Sequence, residues 1–145
     1  MDAEKLQLST TTDGKPPRPG FETAGAPAPI DPRTGQHEAY WVLSEAERAK
    51  GFVRPVRTKY RHLSCGGVTS MGLALSETYA RDPKYYGATM CVHCNKHFAL
   101  LDGDGKPTFV WEPDGDPVGS TEAEAKAFKE EKAREEAAKT IGTGI

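Results

Sequence analysis

The chain of 145 residues contains three cysteines, confined to two short segments, RHLSCGG (61–67) and MCVHCNKHF (90–98). An odd number of thiols cannot pair off within one chain. The polar opening MDAEKLQLSTTTDGK does not resemble a secretory leader, so a disulfide framework explains the cysteines poorly. Their spacing is that of metal ligands. Tetrahedral structural zinc takes four Cys or His ligands, usually in two pairs, because a two-residue spacer lets a tight turn aim both side chains at one ion. His62-x-x-Cys65 and Cys91-x-x-Cys94 are two such pairs. Each is followed by a residue that enters the left-handed backbone region cheaply, Gly66 or Asn95, as a turn around a ligand sulfur requires. A structural Zn2+ held by His62, Cys65, Cys91 and Cys94 is expected. His97, three residues after Cys94, is the alternative fourth ligand, and His93 lies between the two cysteines.

Four ready ligands leave no open coordination position for a reactive water. The chain has no H-E-x-x-H pattern. The deaminase pattern is only half present, because Met90 precedes the C-x-x-C and no glutamate follows His62. Gly14-Lys15 and Gly105-Lys106 each run into proline rather than forming a phosphate loop. No catalytic residue is assigned, and a non-catalytic protein is expected. A zinc-containing nuclease, using His93, Asn95 and His97 beside a structural ion, is the lesser alternative.

The hydrophobic fraction of 37% and mean hydropathy of -0.62 are low for a chain that packs its whole length. Three parts are expected. Residues 1–39 form an extended Pro/Gly-rich arm, because 10–35 hold six of the eleven prolines and only Phe21 and Ile30 as sizeable apolar anchors. Residues 40–120 form an α+β zinc module with short antiparallel strands, of zinc-ribbon or treble-clef type. Residues 121–145 form a charged C-terminal helix and tail.

Within the module, Ser44 and Glu47 make a capping box for a short helix over about 45–50, ended by Gly51. FVRPVRTKYRH (52–62) alternates as a half-buried strand with a basic outer face. Met71, Leu75 and Tyr79 recur at helical spacing and predict a helix over roughly 70–81. HFALL and TFVWE read as strands joined by the turn DGDGKP, in a hairpin or meander. Thr121 and Glu124 form a second capping box, opening a helix whose apolar content is alanine plus Phe128, so it is mostly solvated.

Charge is segregated along the chain. Residues 52–98 carry seven basic and two acidic side chains, net +5, whereas 99–120 carry one basic and five acidic, net -4. Arg54, Arg57, Lys59 and Arg61, with Tyr60 among them, are the candidate nucleic-acid contacts: cations for phosphate and a ring for stacking. A basic row is also the ordinary outer face of an edge strand, and the acidic stretch 99–120 is a ready counterpart for it. Protein–protein contact or self-assembly is the expected mode of action, with nucleic-acid binding through the 54–61 strand as the alternative. No apolar run approaches the ~20 residues that span a bilayer, so no membrane partner is expected.

GFVRPVRTKYRH followed by MGLALSETYARDPKYYGATMCVHCNKHF resembles small zinc-finger-like proteins encoded by bacteriophages and prophages, over about residues 40–120. The resemblance implies a viral accessory or virion-associated role and supplies no activity to transfer; with no leader-like opening and no apolar span, a soluble protein of the intracellular space (host cytoplasm) or the virion is expected.

Overall fold

A computed structural model describes residues 8–22 and 24–143 of the chain. Residues 1–7 of the expected arm and 144–145 of the expected tail lie outside the described residues. The architecture is mixed α+β, and its paired strands are antiparallel. β1 (Leu8–Thr11) pairs with β2 (Trp41–Leu43). β3 (Lys59–His62) is the centre of a three-stranded sheet, flanked by β4 (Val68–Ser70) and β7 (Phe109–Trp111). β5 (Ala88–Cys91) and β6 (Lys96–Ala99) form a separate hairpin. The helices are α1 (Glu45–Ala49), α2 (Leu73–Arg81) and α3 (Glu122–Thr143). Tyr60, Met71, Tyr79, Cys91, Leu100, Phe109, Trp111 and Val118 make up the core.

Local chemistry sets most of these elements. The Ser44 hydroxyl accepts the Glu47 N–H at 3.1 Å to start α1, and Gly51, at φ 86°, turns the chain away after it. The Glu47 carboxylate is turned inward and accepts from Arg81 Nε at 2.9 Å, tying α1 to α2. α2 begins at Leu73, later than its sequence pattern predicts, because Thr69 and Ser70 pair with Tyr60 and Lys59 in β4. Its apolar stripe behaves as expected: Met71 and Tyr79 are buried and Leu75 packs against them.

Two expectations are corrected. HFALL and TFVWE are not hairpin partners: β6 pairs with β5 and β7 pairs with β3, and only a lone bridge, Leu101 to Pro107, spans the DGDGKP turn. The Cys91–Lys96 turn that joins β5 to β6 is shorter than the loop between β6 and β7, and loop closure over few residues costs less entropy. Residues 52–58 are not strand; only Lys59–His62 extends. Pro55 cannot donate to a ladder, and the Val53 and Arg54 N–H groups both donate to the Ala80 carbonyl at the end of α2.

The described part of the arm lies against the module. The Thr12 N–H donates to the Tyr40 carbonyl at 2.8 Å, Trp41 Nε1 donates to the Ala24 carbonyl at 3.0 Å, and Ile30 bridges to His37. Ala26, Pro27 and Ala28 are buried. Pro and Ala have almost no side-chain entropy to lose on burial, which lets so plain a sequence pack.

α3 opens with both bonds of its capping box: the Thr121 N–H donates to Glu124 Oε1 at 2.9 Å, and the Glu124 N–H to Thr121 Oγ1 at 3.2 Å. Ala125 is buried, while most of the helix beyond Lys129 is exposed. Thr121→Ala is expected to cost about 1 kcal/mol in urea unfolding, with Thr121→Ser close to the parent.

Candidate metal centre

The two ligand pairs sit in the turns of two hairpins built alike. In the first, β3 ends at His62, and the Gly66 N–H donates back to the His62 carbonyl at 2.7 Å. In the second, β5 ends at Cys91, and the Asn95 N–H donates back to the Cys91 carbonyl at 2.7 Å. The residue after each second ligand adopts positive φ, 76° at Gly66 and 60° at Asn95. Gly67 must also lack a side chain, since a Cβ there would lie 2.2 Å from the His93 ring.

Hydrogen bonds lock the hairpins together. The Tyr60 hydroxyl, from β3, donates to the Met90 carbonyl on β5. Thr89 Oγ1 donates to Tyr60 Oη at 3.1 Å, and the Val92 N–H donates to Thr69 Oγ1 at 3.1 Å. These bonds fix one turn against the other, and the ligand atoms of His62, Cys65, Cys91 and Cys94 all lie within 4.8 Å of one another.

Two separations within the cluster match those of a tetrahedral zinc site. Zinc–ligand bonds of ~2.3 Å to sulfur and ~2.0–2.1 Å to nitrogen place neighbouring ligand atoms about 3.6–3.8 Å apart. Cys65 Sγ and Cys91 Sγ are 3.6 Å apart, and Cys94 Sγ is 3.7 Å from His62 Nδ1. A disulfide would need ~2.05 Å between sulfurs, and all three cysteines are free. The donor set therefore fits a metal ion, and its soft thiolates with one imidazole suit zinc.

The His62 ring is held on both faces. Phe109, its cross-strand neighbour, stacks at 4.6 Å and 23°, and Phe98 lies at 4.4 Å on a tilt. Ser64 Oγ stands 3.3 Å from Nε2, leaving Nδ1 toward Cys94. Burial lowers the His62 pKa, favouring the neutral ring a metal needs. Burial pushes the Cys91 thiol up, but the N–H groups of Cys94 and His93 and the Cys65 thiol outweigh it, so its pKa falls below the ordinary value. Burial, reinforced by the Cys65 and Cys91 thiols, raises Cys94 to about 11. Three thiols this close resist ionising together without a cation among them.

His97, the alternative ligand, is placed elsewhere. It pairs with Met90 on β5, and successive strand residues face opposite sides, so it stands on the far side of the hairpin from Cys91. Its ring meets His37 of the arm at 5.4 Å. His93 is exposed at the tip of its turn, beside Gly67.

The candidate nucleic-acid row does not form a surface. The Arg54 and Arg57 side chains keep 8% and 6% of their exposure. Arg57 Nη1 bonds Asp114 at 2.9 Å and Asp116 at 3.0 Å, its guanidinium lies 5.1 Å over the Trp111 ring, and Arg54 also pairs with Asp116. Arg61 makes a two-pronged bond to Glu112. Tyr60 is buried in the core at 2% exposure, so its ring is not available for stacking on a base. Among the described residues, only Lys59 remains as an exposed cation of the row without an ion pair. Alternation alone predicts a basic outer face; the acidic turn 112–116 instead folds over residues 54–61 and neutralises it. Asp116 is the residue sequence reasoning did not single out. It also bonds Lys129 of α3 at 2.7 Å, so one buried carboxylate gathers three cations.

Among the described residues, no helix is long and apolar enough to cross a membrane. Comparison with protein-family models, curated proteins and solved structures finds no match for this chain.

Proposed function

We propose that the chain is a non-catalytic binding module whose rigidity comes from one zinc ion held by His62, Cys65, Cys91 and Cys94, and that it acts through protein contacts. The observation that carries this reading is the convergence of four soft ligand atoms from two hairpin turns into one closed set. Because both knuckles lie in hairpin turns rather than at the start of a helix, the arrangement favours a zinc-ribbon plan over a treble clef. With four protein ligands the ion has no position for a reactive water, and it serves as a scaffold. Each knuckle turns an apolar side chain outward, Leu63 and Val92, both 45% exposed. Rigid apolar tips of this kind suit a protein partner or a second copy of the chain better than a phosphate backbone. The accessory or virion-associated setting in bacteriophages belongs to the proposal on the strength of the sequence resemblance alone.

The purified chain should carry one equivalent of zinc by elemental analysis. It should also show no measurable anisotropy change with single- or double-stranded oligonucleotides at low salt. Binding that strengthens steeply as salt is lowered would favour the nucleic-acid reading instead, since phosphate contacts carry that dependence. Metal content far below one equivalent after zinc-supplemented expression would sink both.

A further inference from the structure

A cavity of about 630 Å³ lies between the arm and the module, on the side of the β5–β6 hairpin away from the cysteines. Its size is within the ~300–1,000 Å³ usual for small-molecule sites. Tyr40, Tyr60, Tyr79 and Tyr86 contribute to its wall, and His37 and His97 stand at the junction with the arm. Among the described residues, no Asp, Glu, Lys or Arg lines it, although such residues make up 28% of the chain. Two of its lining side chains carry a buried polar atom without a hydrogen-bond partner, Tyr86 Oη and His97 Nδ1. The other tyrosines differ: Tyr60 donates to the Met90 carbonyl, Tyr79 to the Ala88 carbonyl at 3.3 Å, and Tyr40 accepts the His37 N–H at 3.1 Å. Both atoms are themselves enclosed, out of reach of a molecule in the cavity, so what the wall presents is mainly rings and aliphatic side chains.

We infer that this cavity is a binding site for a small, uncharged, largely aromatic or aliphatic molecule. The class follows from the wall. A charged ligand would lose its hydration and meet no ion partner, whereas aromatic rings favour an apolar body. The site is separate from the metal centre: Met90 and His97 line the cavity, and none of His62, Cys65, Cys91 and Cys94 does.

N-phenyl-1-naphthylamine, an uncharged aromatic amine whose fluorescence rises in apolar surroundings, is a suitable probe for the full-length, zinc-loaded chain. Its sulfonated analogue, 1-anilinonaphthalene-8-sulfonate, has the same ring system with an added anion. The uncharged probe should saturate at one equivalent and bind at least tenfold more tightly than the sulfonate. Ala74→Trp on one wall and Ala24→Trp on the other should each weaken it at least tenfold with zinc content unchanged. In the unaltered protein, intermolecular nuclear Overhauser effects should connect the probe to the Met71 and Met90 methyl groups. Non-saturating fluorescence, equal affinity for the sulfonate, or Overhauser contacts to Leu101 and Phe128 in place of the two methionines would overturn the assignment. These readouts are separate from metal content, so failure here leaves the zinc reading standing, and the reverse holds.

Discussion

Stripping the metal, with a strong chelator or by Cys91→Ser, is expected to abolish the near-UV circular dichroism of the core aromatics and to unfold at least residues 52–98. Tyr60 packs edge to face against both Phe109 and Trp111, and the His62 ring stacked on Phe109 and the fully buried Cys91 are part of the same packing. His62 and Cys91 cannot leave the site without opening that core. Apparent zinc-binding free energies of ~10–16 kcal/mol in small modules exceed the ~5–15 kcal/mol that stabilises a typical domain. Acid should act in the same direction. The folded-state pKa of His62 is depressed by burial, so the stability it contributes is complete above the unfolded value of about 6.5 and declines as pH falls through the folded one. Competition between protons and metal at the thiolates adds to the loss. Zinc release followed with a colorimetric chelator between pH 7 and pH 4 should track the loss of ellipticity. A near-UV spectrum unchanged in metal-free protein would show that the ion is not a structural element.

Asp116→Asn is expected to destabilise the chain by about 3–5 kcal/mol, read as a shift of the urea midpoint at constant slope. The substitution preserves shape, removes the charge and turns one acceptor oxygen into an amide NH2 that cannot accept from a cation. It leaves Arg54 and Arg57 as buried cations with Asp114 as the remaining nearby carboxylate, and it frees Lys129 of α3. A buried ion pair adds little net stability when whole, yet breaking one side is costly because the survivor has lost its water and gains no partner. Burial pushes the Asp116 carboxyl up, but Lys129, Arg57 and Arg54 outweigh it and hold its pKa below the ordinary carboxylate value. Its contribution is therefore present above about pH 4 and lost as pH falls through the lowered folded value. Glu131→Gln, on an exposed stretch of α3, is the control and should shift the midpoint by less than about 0.5 kcal/mol. A shift of that small size at Asp116 would mean that the arginines reach solvent by a side-chain rearrangement.

The local elements were legible because each rests on neighbours in sequence. The cap at Ser44, the capping box at Thr121 and the left-handed positions after each ligand pair are bonds or dihedral angles spanning a few residues, and they form as their spacing implies. The pairing of strands was not legible in the same way. HFALL has the pattern of a strand whichever partner it takes, and what assigns it to β5 rather than β7 is competition between turns over the whole chain.

By itself the sequence determined the donor chemistry: four soft ligands in two pairs, each with a following residue able to turn back. Those features depend on residue type and on separations of three or four positions, which the backbone reads locally. Tertiary structure alone decided which imidazole joins the sulfurs. His62 and His97 are both within reach by spacing, but strand pairing turns one ring toward Cys94 and the other toward the arm. It also decided the fate of the basic row, because whether Arg54 and Arg57 face water or Asp116 depends on where a loop some sixty residues away comes to rest.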